Sequence, residues 1–109
     1  MWTKVCMVED IPENGGACVI ENNQQIAIFK SNSGSKWYAT DNQCPHKQQM
    51  VISGGIIGDE QGKPKVACPL HKHTFSLEHG NCLSDKSIPK LKTYPIRTEN
   101  KRVYIQLEK

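Results

Sequence analysis

Two short segments carry the chemistry this chain could do: Cys44-Pro45-His46 and Cys68-Pro69-Leu70-His71. Each offers one thiolate and one imidazole. Thiolates are soft ligands that suit iron–sulfur centres and imidazole also suits iron, so two mixed pairs point to a [2Fe–2S] centre with unlike irons. One iron would take Cys44 and Cys68, the other His46 and His71. Neutral imidazoles in place of two anionic thiolates remove negative charge and raise the reduction potential, into a window of roughly −150 to +300 mV. The chemistry implied is electron transfer.

Zinc is the main metal alternative. Its modules, however, group ligands as C-x₂₋₄-C followed by H-x₃₋₅-H, whereas each pair here is mixed and the first spacing is a single residue. A purely structural reading would place four unrelated residues in two like-ordered, proline-containing pairs by accident, and it requires a colourless protein. Pro45 and Pro69 fix the backbone beside the ligands and should stiffen both loops. His73 and His79 are not needed for coordination, so they are expected at the surface or in contacts that support the ligands. Gly54-Gly55-Ile56-Ile57-Gly58 lacks the preceding strand and following helix of a dinucleotide site and is expected to pack beside the cluster.

The elements that must position these ligands are short β-type runs separated by turn residues. Trp2–Cys6 precedes Asn14-Gly15-Gly16, and the runs Ala17–Ile20 and Gln25–Phe29 flank Asn22-Asn23 as a hairpin. Lys36–Thr40, with its aromatic pair, reads as the strand that delivers the chain to the first ligand segment. A turn-rich stretch from Gly58 to Pro64 precedes Lys65–Ala67, which leads into the second segment, and Thr74–Leu77 leads out of it. Thr93–Arg97 and Arg102–Gln106 flank Glu99-Asn100-Lys101 as a closing hairpin. Helical periodicity is confined to little more than a turn around Lys47–Ile52. The fold expected is all-β: stacked antiparallel sheets or a small β-barrel, with the two ligand loops at the tips of adjacent hairpins. Trp2 and Trp37 are expected as core or half-buried aromatics.

A chain of 109 residues fits one domain, residues 1–109, and cannot also house a full catalytic domain. The net charge of +3 comes from lysines spread along the sequence, with no dense basic run, which argues against nucleic-acid binding. No apolar stretch before Lys30 has the length of a signal peptide or membrane anchor, so a cytoplasmic protein without membrane association is expected. Its thiols should be reduced, and Cys6, Cys18 and Cys82, spare once two of the five cysteines bind iron, are expected as buried small hydrophobes.

The ligand pairs, with coverage of nearly the whole chain, resemble a Rieske domain. More narrowly, the chain resembles the small subunit of assimilatory NAD(P)H-dependent nitrite reductase. That likeness rests on the 21 residues between His46 and Cys68, which include Ser53–Asp59, on Lys65–Lys72, and on Phe75-Ser76-Leu77, Gly80, Cys82 and Pro89–Pro95. It implies an electron-transfer subunit, inactive alone, that works with a large subunit carrying flavin, a further iron–sulfur centre and sirohaem to reduce nitrite to ammonia. The other reading is a stand-alone Rieske ferredoxin feeding a ring-hydroxylating oxygenase, which uses the same four ligands; the long gap favours the subunit. In high-potential Rieske proteins a second-loop cysteine, a serine and a tyrosine support the cluster. Leu70, His73 and Phe75 stand in those places, which implies a low potential.

Overall fold

The apolar run Ile26-Ala27-Ile28-Phe29 forms the wall between two cores. The computed structural model describes residues 2–31, 36–45, 49–60, 62–70 and 72–107. In it all four residues of this run are fully buried. Successive side chains of a strand point to opposite faces. Ala27 and Phe29 therefore enter one hydrophobic cluster and Ile26 and Ile28 the other. The run is apolar throughout because both faces of its strand are covered.

Among the described residues, ten strands form three antiparallel sheets: β1 (Thr3–Met7), β2 (Gly15–Glu21), β3 (Gln24–Ser31), β4 (Lys36–Asp41), β5 (Ile56–Glu60), β6 (Lys63–Ala67), β7 (Thr74–Ser76), β8 (Thr93–Tyr94), β9 (Ile96–Glu99) and β10 (Arg102–Ile105). The sheet orders are β1-β10-β9, β2-β3-β4-β8 and β5-β6-β7. The all-β expectation holds in its stacked-sheet form; the sheets are open and do not close into a barrel. Among the described residues there is no α-helix. The Lys47–Ile52 segment, part of which lies outside the described residues, is followed by one 3-10 turn at Ile52–Gly54.

The β2–β3 hairpin turns through Asn22 and Asn23 with φ of 53° and 64°, and β9–β10 turns through Asn100 and Lys101 with φ of 53° and 65°. Paired positive φ angles give a turn whose twist matches the strands it joins. Two expected boundaries move. The Thr93–Arg97 run divides at Pro95, where the amide lacks a hydrogen: Thr93-Tyr94 pairs with β4, and Ile96 onward pairs with β10. The stretch from Gly58 to Pro64 is largely strand rather than turn, because Gly58 pairs with Lys65, Asp59 with Pro64 and Glu60 with Lys63. Trp37 packs at the edge of the second core, and Trp2 lies under Arg97, whose guanidinium carbon is 4.7 Å from the ring centre.

Candidate metal centre

β4 ends at Asp41, and the chain passes through Asn42 and Gln43 to Cys44. Gln43 forms an antiparallel bridge with Met50, and within it the Cys44 N–H donates to the Gln49 carbonyl at 2.8 Å. The second segment repeats this closure. Ala67 pairs with Thr74 at the end of the β6–β7 ladder, and within that pair the Cys68 N–H donates to the His73 carbonyl at 2.8 Å. Loops 44–49 and 68–73 thus share length, flanking pair and closing bond, with cysteine first in each. The Lys72 N–H also donates to the Cys68 carbonyl at 2.8 Å, and Lys72 takes a left-handed φ of 61° to reach it. His46 and His71 lie outside the described residues.

Cys44 is 0% and Cys68 1% exposed, and both belong to one cluster with Ile52, Val66, Phe75 and Leu77. None of the five cysteines is in a disulfide. Two thiols shielded from water at the heads of matching loops fit the sulfur half of a [2Fe–2S] ligand set. Among the described residues no three His, Cys, Asp or Glu side chains gather as a metal site, so Cys82, although in the same core, does not complete one. The other half of the set would fall to His46 and His71.

The expectation for the spare cysteines holds only for Cys82. Cys18 is exposed on the outward face of β2, whereas Cys6 is half-buried at the edge of the second core, against which it packs. Partial burial, reinforced by Asp10 and opposed by Lys4, pushes the Cys6 thiol up to about 11. Partial burial also raises Cys18, against a hydrogen bond from the Ile26 backbone. Both shifts disfavour the thiolate form.

Each loop has a side-chain anchor that was not read from the sequence. Asn42, 2% exposed, accepts the Ser53 N–H at Oδ1 (2.6 Å) and donates from Nδ2 to Gln25 Oε1 (2.9 Å), and its carbonyl accepts the Ile52 N–H (3.1 Å). At the second loop, the exposed Ser84 hydroxyl lies 3.0 Å from His73 Nδ1 and accepts the Thr74 N–H at 3.2 Å. His79 is exposed, as expected. Of the glycine-rich stretch, Gly54 is open, whereas Gly55 is pressed against the strand leading to Cys68: a Cβ there would sit 2.4 Å from the Ala67 carbonyl oxygen. Its φ of −73° would accommodate any residue, so the glycine provides space.

Residues 1–106 match the Rieske-like [2Fe-2S] domain family. The chain belongs to that family. This Rieske-like chain carries the cofactor of its family, a [2Fe–2S] cluster. It is 32% identical over 99 residues to the nitrite reductase (NADH) small subunit of Salmonella typhimurium, covering 91% of each chain. It is also 33% identical over 107 residues to the ferredoxin component of the naphthalene 1,2-dioxygenase/salicylate 5-hydroxylase systems of Ralstonia sp, covering 98% of this chain and 96% of that one. Among solved structures, the nitrite reductase [NAD(P)H] small subunit from Erwinia carotovora superposes with a TM-score of 0.83 at 35% identity, covering 99% of this Rieske-like chain and 82% of the other. No helix among the described residues is long and apolar enough to cross a membrane.

Proposed function

We propose that this protein is the small, electron-transferring subunit of an NAD(P)H-dependent nitrite reductase, acting in the cytoplasm beside a large subunit that holds sirohaem and flavin. The observation that carries the electron-transfer role is the matched closure of two loops, each headed by a buried cysteine on one shared core. Likeness to a nitrite reductase small subunit over 91% of both chains supports the assignment to that enzyme.

Cys44 and Cys68 would hold one iron through sulfur and His46 and His71 the other through ring nitrogen. When bound, the cluster supplies electron exchange without group transfer. The apolar side chains around both cysteines keep water from the sulfurs. Leu70 is exposed, His73 is bonded to Ser84, and Phe75 is fully buried in the cysteine cluster, so none of the three presents a hydroxyl to a sulfur. Fewer donors to the sulfurs mean less stabilisation of the reduced, more negative state and a lower potential.

Nitrite chemistry belongs to the partner in this reading. The purified chain should reduce no nitrite with NADH or NADPH, and adding the large subunit should give a stable complex that does. A His71→Ala variant separates electron passage from docking: full activity would overturn the electron-transfer role while leaving the subunit assignment. The Ralstonia relative supports the second reading, a free ferredoxin. Failure to bind the large subunit, with efficient electron delivery to a ring-hydroxylating oxygenase, would establish that reading instead.

A further inference from the structure

We infer that Asn42 is a positioning residue for the cluster: its buried amide ties both ends of the first ligand loop to β3 and so fixes where Cys44 presents its sulfur. The inference rests on the reading of Cys44 as an iron ligand.

Loop 44–49 has little sheet to hold it. Its flanking contact is a single bridge, Gln43 with Met50. Asn42 lies just before that bridge, and Ile52 and Ser53 lie just after it. The Asn42 carbonyl accepts the Ile52 N–H at 3.1 Å, and its side-chain Oδ1 accepts the Ser53 N–H at 2.6 Å. One residue on the entering chain therefore holds two successive amides of the leaving chain. The pair is fastened to β3 as well, because the Asn42 N–H donates to the Gln25 carbonyl at 3.1 Å and Nδ2 donates to Gln25 Oε1 at 2.9 Å. Nδ2 also lies 3.6 Å from Cys18 Sγ.

The chemistry of the side chain matches this task. The Ser53 amide needs an acceptor and Gln25 Oε1 needs a donor, and a carboxamide is a short side chain that offers both without charge. At 2% exposure, water is poorly placed to take over either bond. A buried polar group left without its partner costs more than the bond itself is worth. Truncation of Asn42 would therefore free the loop, take the side-chain acceptor from the Ser53 N–H and leave Gln25 Oε1 with the Cys18 thiol, 3.6 Å away, in place of an amide donor.

The test compares cluster loss with unfolding in the wild-type chain and in Asn42→Ala and Gln25→Ala variants, all loaded with iron and sulfide. Bleaching of visible absorbance in excess iron chelator follows the cluster. Tryptophan fluorescence follows the fold, because Trp37 packs on the other core. Asn42→Ala should raise the ratio of bleaching rate to unfolding rate about tenfold, the scale of one buried hydrogen bond, and Gln25→Ala about threefold. Asn42→Ala should also shift the g-values of the reduced cluster, which lower global stability alone does not do. If Asn42→Ala fails to fold, Gln25→Ala decides, since it keeps Asn42 and its bonds to Ile52 and Ser53. A loaded wild type with an unchanged ratio and unchanged g-values in the variants would overturn the role of Asn42 alone. A wild type that never takes up iron and sulfide would overturn the ligand assignment beneath it.

Discussion

Loop 68–73 is the tip of a continuous hairpin, held by the pairs Ala67 with Thr74, Val66 with Phe75 and Lys65 with Ser76. Among the described residues, loop 44–49 closes with the same bond but has behind it the isolated Gln43–Met50 bridge and the bond from the Ile52 N–H to the Asn42 carbonyl in place of a ladder. Their anchors differ accordingly: a buried carboxamide ties the first loop, and an exposed hydroxyl touches the second. Where the backbone ladder is long, a side chain adds little. Where it is short, side-chain bonds must supply the geometry that a cluster requires.

The largest effect tests what the loops share. Cys44→Ser and Cys68→Ser should each abolish cluster assembly, because a hydroxyl is a poor soft ligand. Iron and sulfide analysis with electron paramagnetic resonance should find both equally empty. Substantial iron retained in one variant and not the other would break the equivalence of the loops.

Gly55→Ala acts on the joint between them. Its added methyl would meet the Ala67 carbonyl and the Val66 side chain, forcing the exit of the first loop away from the entry of the second. A cost of about 3 kcal/mol is expected, at the upper end of ordinary overpacking. Urea denaturation read by fluorescence measures it, and a change below about 0.5 kcal/mol, the range of neutral surface substitutions, would mean that the two segments part without strain.

The smallest effect sharpens the contrast in anchoring. Ser84→Ala removes a water-exposed acceptor and should cost under about 1 kcal/mol, the worth of one exposed hydrogen bond. Its cluster should bleach no more than about threefold faster than in the wild type on the same scale. Bleaching as fast as in Asn42→Ala would show that the second loop depends on its side-chain anchor as much as the first.

The cofactor class and the β-character were legible because both are local: Cys-Pro-His and Cys-Pro-Leu-His are the residue types a mixed-ligand cluster would need, and apolar runs between turn residues name strands. The equal closure of the loops was hidden, because His46 and His71 stand at different distances from their cysteines while the shared feature is a backbone bond to Gln49 and His73. Asn42 gave no signal, since its partners Gln25 and Ser53 are distant in sequence and become neighbours only through β3. Cys18 was misplaced for a related reason. In Ala17-Cys18-Val19-Ile20 no polar residue marks the outward face, and it is Cys18 and Ile20 that face out. Pro95 was visible as a residue, but only the sheet order shows that the chain changes sheets there.

The pairing of β1 with β10, which sets Thr3 opposite Ile105, bears on how this protein can be joined to others. Strands β1 and β10 lie side by side, and the core they cover is not the one that contains Cys44 and Cys68. A fusion partner, a linker or a surface tether attached near either strand would leave from the same edge of the molecule. The fold can therefore be inserted into a longer polypeptide as one block, with loops 44–49 and 68–73 left unburdened by the attachment.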